Sequence, residues 1–167
     1  MTEPKYTPEE IIAKLQAHPK FGSQIKPITK HQSAIISSGL EPAVVIAGAG
    51  SGKTETMSNR VLYLVANGFA TPDQILGLTF TRKAAGELSV RIRKRLRQLS
   101  QLPEFKDITS SSTSVTTYHS YAGKLLSEHA IRYGIDADAE PLGEAAIWQI
   151  ASDVVRNWSD DSYRNDS

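Results

Sequence analysis

Ala43-Val44-Val45-Ile46, followed at once by Ala47-Gly48-Ala49-Gly50-Ser51-Gly52-Lys53-Thr54, decides how this chain is read. Four apolar residues predict a strand, the glycines predict a turn, and an amphipathic helical pattern begins near Lys53, so the order is strand, loop, helix. With Gly48, Gly50 and Gly52 the backbone reaches φ values that other residues resist. Its N–H groups then turn inward and form a nest for phosphate oxygens at a helix N-terminus. In that arrangement Lys53 meets the β- and γ-phosphates of a nucleotide, and the Thr54 hydroxyl ligates Mg2+. Ala47 stands where the strict motif has Gly, so the match is to the relaxed form. A glycine-rich turn ending in Lys-Thr by coincidence is the competing reading, and the flanking strand and helix weigh against it. Residues Ala47, Gly48, Ala49, Gly50, Ser51, Gly52, Lys53 and Thr54 are the candidate nucleoside triphosphate site.

A chain of 167 residues, 40% apolar and 22% charged, suits one globular domain with a real core. No apolar run approaches the roughly 18 residues of a spanning helix. Met1-Thr2-Glu3-Pro4-Lys5 lacks the basic-then-apolar pattern of a secretion signal, so no membrane partner is expected. Zero cysteines exclude disulfides, thiolate metal sites and a cysteine nucleophile, and fit a cytoplasmic location. The net charge of +1 conceals an asymmetry: residues 1–135 hold 17 Lys/Arg against 10 Asp/Glu, and 136–167 hold 2 against 8. A basic body attracts polyanions.

Thr7-Pro8-Glu9-Glu10 carries an N-cap, a Pro at the first helical position and a Glu three residues after the cap, which predicts a short helix through Leu15. Phe21 to Pro27 reads as irregular. Thr29-Lys30-His31-Gln32 opens a second helix that Gly39 ends. Met57, Val61, Leu62, Leu64 and Val65 give the helix after the loop an apolar face, closed by Asn67-Gly68. Ile75 to Phe80 reads as a strand, making a β-α-β unit and hence a parallel sheet. A third helix spans about Lys83 to Leu99, an exposed loop covers Leu102 to Ser114, and Val115-Thr116-Thr117 is a short third strand. Helices are expected over Ser120–Tyr133 and Glu144–Trp158, with a frayed tail at 159–167.

Between Ile28 and Gly134 four signatures occur in an order that resembles the N-terminal motor domain of superfamily-one DNA helicases of the UvrD/Rep kind. Thr29-Lys30-His31-Gln32 resembles the glutamine motif, and Ala47 to Thr54 resembles the family's phosphate loop, leading Ala included. Thr79-Phe80-Thr81-Arg82-Lys83-Ala84-Ala85 resembles the DNA-contacting motif after the second strand, and Thr117-Tyr118-His119-Ser120 the next one. The runs Gly52 to Met57 and Leu76 to Leu88, with Glu144 to Gln149, are similar to actinobacterial helicase-nuclease subunits of the RecB-like or AdnB-like type. The resemblance implies an α/β fold: a partial parallel sheet of the RecA-like, phosphate-loop NTPase type flanked by helices. Its parts would be a helical lead-in (1–27), the ATP-binding domain (28–119) and the start of a helical inserted subdomain (120–158). It further implies ATP and Mg2+ as cofactors, with Lys53 and Thr54 as catalytic groups and Thr54 as metal ligand. Single-stranded DNA is the implied partner, met by Phe80, Thr81, Arg82, Lys83, Tyr118 and His119, and a second helicase-nuclease subunit is a further one.

Several of these residues have a second reading. Gln32 fits a capping box with Thr29; the resemblance instead aims its amide at the adenine edge, for which it has both donor and acceptor. Phe80 either stacks on a base or belongs to the core. The Lys83–Arg97 run, six cations against Glu87, is either a solvated helix face or, along Arg91, Lys94 and Arg95, a stripe facing DNA. His119 gains a DNA role only from the resemblance; His18, His31 and His129 read as packed or surface residues.

Two residues depart from the family pattern. Glu55 occupies the place of an Arg after the loop Thr, and Arg82 that of an Asn. After Gly134 no apolar strand ends in Asp-Glu, the acidic pair that holds Mg2+ and positions the attacking water, and a second motor domain with its arginine fingers is also missing. The expectation is the N-terminal piece of a translocating DNA helicase acting in repair or recombination, one that binds ATP weakly and does not turn it over. The alternatives are a phosphotransferase acting on a small metabolite and a noncatalytic nucleotide-sensing module.

Overall fold

A computed structural model describes residues 3–108, 113–134, 136 and 142–158. Two compact units divide the chain, one through Tyr121 and the other from Ala122. The Ser/Thr run at 109–112 and the tail at 159–167 lie outside the described residues.

The first unit is a helical layer against a small sheet. Helix α1 (Pro8–Gln16) begins where Thr7 and Glu10 close a reciprocal capping box, and α2 (Lys30–Ile36) repeats the device with Thr29 and Gln32. Helix α3 (Lys53–Ala66) follows the glycine loop, and strand β1 (Leu76–Thr79) leads to α4 (Arg82–Leu99). Strand β2 (Ser114–Thr117) then pairs in parallel with β1, placing Leu76 beside Ser114 and Thr79 beside Thr117. Leu15, Ile36, Leu62 and Leu99 come from four different helices and are each no more than 1% exposed, so they lock α1 to α4 together. Truncating any one to Ala would cost about 2–5 kcal/mol. Residues Ile11, Ile12, Phe21 and Ile25 join that core, which makes the lead-in part of the same packed body. A second cluster, Val61 and Val65 of α3 with Leu88 and Ile92 of α4, uses i,i+4 pairs to seat both helices on Ile75 and Val115 of the strand region.

In the second unit the latter part of helix α5 (Tyr118–His129) ends in a 3-10 turn at Ala130–Tyr133, and α6 (Glu144–Asn157) follows. No residue of α6 is buried. No helix among the described residues is long and apolar enough to cross a membrane.

One expected element is absent. Residues 42–48 form no strand, and every residue from 43 to 46 is exposed, Val44 at 89% and Ile46 at 97%. The reason is pairing: a strand exists by its ladder, and among the described residues β1 and β2 bond only to each other. The parallel β-α-β unit is therefore built one step later than the sequence suggests, as β1-α4-β2. Smaller differences follow from packing. Helix α2 ends at Ile36 with Ser37 as its cap rather than at Gly39, and Met57, 46% exposed, lies off the buried face of α3.

Candidate nucleotide and nucleic-acid sites

Gly50 (φ 76°) and Gly52 (φ 86°) take the left-handed backbone that L side chains avoid, and these two residues turn the chain into α3; Gly48 does not adopt it. The Ser51 N–H and hydroxyl both donate to the Gly48 carbonyl, at 3.4 and 2.9 Å, which tightens the turn. Gly52 is the N-cap of α3, and no side chain caps that helix. Its first-turn N–H groups therefore keep their hydrogen-bonding capacity and their share of the helix dipole for an anion. The Lys53 ammonium folds back over the loop and donates to the carbonyls of Ala47 (3.2 Å) and Gly48 (2.7 Å). Ala49 and Thr54 are exposed beside it. A cation and an uncapped helix N-terminus thus share one turn with the exposed Thr54 beside them, and groups of this kind are what an anion site draws on. Among the described residues no trio of His, Cys, Asp or Glu is gathered to hold a metal.

Gln32 does two things at once. Its Oε1 accepts the Thr29 N–H at 3.0 Å, as the capping box requires, while its Nε2 donates to the Ser51 carbonyl at 3.4 Å and so ties α2 to the loop. A Cβ at Gly52 would stand 2.8 Å from that Nε2, so a side chain there would displace the Gln32 amide as well as strain the positive φ. Gln32 borders two cavities. One, of about 690 Å³, is walled by Ile35, Val45, Ile46, Lys53, Met57 and Arg60. The other, of about 410 Å³, is walled by Pro27, Ile28, the Gly50–Gly52 backbone, Glu55, Arg91 and Arg95.

The basic stripe on α4 is largely committed to the protein itself. Arg91 and Arg95 both pair with Glu55, Arg91 at 2.9 Å, and Lys94 donates to Gln24 at 3.1 Å. Burial works to raise the Glu55 carboxyl's pKa, and the hydrogen bonds and charges of Arg95 and Arg91 outweigh it, holding the group below its ordinary value. Arg60 is another commitment that sequence reading passed over. Its guanidinium takes the carbonyls of Ile36, Ser38 and Gly39, satisfying the end of α2. Burial lowers the pKa of Arg60. No local pattern flags either cluster, because each joins helices far apart in sequence.

The strand ends form the second candidate surface. Since Thr79 and Thr117 are in register, the residues after them are brought together, and the rings of Phe80 and Tyr118 lie 5.2 Å apart at a tilt of 39°. Phe80 is 87% exposed, which removes the core reading. The Thr81 hydroxyl accepts the Ala84 N–H and caps α4, while Thr117 caps α5 through the Ser120 N–H. Arg82, Lys83 and His119 are exposed around the aromatic pair.

Comparison with known proteins adds the family. The profile of the UvrD/REP helicase N-terminal domain matches residues 28–166. The ATP-dependent DNA helicase PcrA of Staphylococcus epidermidis is 29% identical over 140 residues, covering 84% of this chain and 18% of the relative. PcrA of Staphylococcus aureus strain Mu50 is 29% identical over 131 residues, covering 78% of this chain and 17% of the relative. The chain thus spans about a fifth of the length of these curated relatives. With the family profile running over most of its residues, the chain belongs to the UvrD/REP helicase N-terminal domain family.

Proposed function

We propose that this chain is the ATP-binding N-terminal part of an ATP-dependent DNA helicase that moves along single-stranded DNA in repair or recombination. The observation that carries the reading is the uncapped N-terminus of α3, entered through left-handed Gly52 with the Lys53 ammonium held over the loop. In the working protein Lys53 exchanges its two loop carbonyls for phosphate oxygens, Thr54 meets Mg2+, and Gln32 turns its amide to the adenine edge. Phe80, Thr81, Arg82, Lys83, Tyr118 and His119 hold the strand, the aromatic pair stacking on bases and the cations meeting phosphates. We read the sheet as part of a RecA-like phosphate-loop fold. The subtype is the actinobacterial helicase-nuclease kind, working in the cytoplasm with a second subunit.

Neither described strand ends in an acidic pair: β1 runs into Phe80 and β2 into Tyr118. The 167-residue chain therefore binds ATP without turning it over. Calorimetry with ATP and Mg2+ tests the site; the expected result is a weak binding heat that Lys53→Ala removes. Robust Lys53-dependent hydrolysis, or no heat at all, would refute the reading. A fluorescent oligonucleotide separates it from a metabolite phosphotransferase, since the helicase part prefers single strands and loses affinity as salt rises, whereas the transferase ignores DNA.

A further inference from the structure

Glu55 is the acid of the first turn of α3 and lies beside a loop suited to polyphosphate, where an unpaired carboxylate would repel the ligand. It is not unpaired. Its Oε2 accepts from Arg91 Nη1 at 2.9 Å and its Oε1 from Arg95 Nη2, so one acid and two guanidinium groups leave a local charge of +1. The two arginines are not equivalent. The Arg95 side chain is 10% exposed and also donates to Gln98, whereas that of Arg91 is 44% exposed and held by Glu55 through one nitrogen.

Arg91 therefore presents an oriented, open guanidinium to the 410 Å³ cavity that begins at Gly50–Gly52 and is lined further on by Pro27 and Ile28. That volume is in the range of small-ligand sites, about 300–1,000 Å³. In the larger cavity across Gln32 the guanidinium on the wall, that of Arg60, is consumed by three backbone carbonyls. A planar, weakly hydrated guanidinium is suited to the face of an aromatic ring, and proline and isoleucine side chains suit such a face too.

We propose that Arg91, aimed by Glu55, lies on the purine ring of the bound nucleotide, with Glu55 as its positioning residue and the Pro27–Ile28 wall completing the base pocket. This rests on the glycine loop being the triphosphate site. The cation on the base thus comes from α4, and the acid after Thr54 serves to hold it.

Two ligands separate base from tail: Mg-ATP and Mg-tripolyphosphate, each titrated by calorimetry into the wild-type chain, Arg91→Ala, Arg91→Lys and Lys53→Ala. Arg91→Ala is expected to weaken ATP about tenfold and leave tripolyphosphate unchanged, which also shows that the variant is folded. Arg91→Lys, which keeps the charge and loses the plane, should recover little of the loss, and Lys53→Ala should weaken both ligands. Equal weakening of both ligands by Arg91→Ala, no effect on ATP, or full rescue by Arg91→Lys would overturn the proposal while leaving the triphosphate site intact. Wild-type protein that binds neither ligand would remove the site itself, and this inference with it.

Discussion

Glu55 illustrates how one residue's role depends on partners its neighbourhood in sequence does not disclose. It departs from the family pattern, and on the chain alone it is an acid misplaced near phosphate. The folded chain supplies Arg91 and Arg95 from the next long helix, and they keep its carboxyl ionised below its ordinary pKa of 4.5. The folded state therefore binds that proton less readily than the unfolded chain. The pair's contribution is fully present above about pH 4.5 and is lost as pH falls through the lower, folded value. Glu55→Gln should lower stability near neutrality by about 1 kcal/mol, a figure kept small because the site is partly solvated. The urea midpoints of the two proteins should converge as pH is lowered through the carboxylate range. Glu10 and Glu104 are depressed as well, but both remain in the two proteins, so the difference isolates Glu55. A gap that stays constant from pH 7 down to the acid limit would show that the ion pairs do not carry the effect.

Among the elements, legibility followed how local the determining forces are. Capping boxes at Thr7 and Thr29, the glycine-led turn into α3 and the apolar periodicity of α3 are set within a few residues, and each was readable from the sequence. The short strands β1 and β2 were readable from apolar and β-branched residues, yet Ala43–Ile46, the most strand-like run of all, formed no strand. Composition reports the tendency to enter a sheet, but entry needs a neighbouring ladder, which is a non-local fact. Gln32 shows the same limit from the other side: its capping bond was foreseeable, and its bond to Ser51 was not. The unladdered run leaves Val44, Val45 and Ile46 at 89%, 50% and 97% exposure, a ready template for another apolar surface. The 167-residue chain should accordingly bind a hydrophobic dye and self-associate as concentration rises. Ile46→Lys should reduce both without changing the helical circular dichroism signal, because this side chain supports no core contact. Unchanged light scattering from that variant would mean association arises elsewhere, for example at the exposed Trp148 of α6 and Trp158 just after it.

At the scale of the whole molecule, charge and aromatic surface would make separable contributions to the nucleic-acid binding proposed above. Seventeen cations against 10 acids in residues 1–135 provide long-range attraction, but Arg60, held by backbone carbonyls, and Arg95, paired with Glu55 and little exposed, are not placed to touch a phosphate themselves. What remains exposed at the strand ends is a compact arrangement of Arg82, Lys83 and His119 around the Phe80–Tyr118 pair. Stacking on a base is worth about 1–3 kcal/mol and depends little on salt, whereas each cation contributes through counterion release. Phe80→Ala should therefore weaken single-stranded DNA binding about tenfold at every ionic strength, leaving the slope of log affinity against log salt unchanged. Arg82→Ala should instead make that slope shallower by about 0.7, so that its effect is largest in dilute salt and fades as salt increases. Anisotropy titrations with a labelled oligonucleotide across a salt series distinguish the two. If Phe80→Ala changed the slope and Arg82→Ala did not, the roles assigned to ring and cation would have to be exchanged, and if neither mattered the strand would have to run elsewhere on the protein.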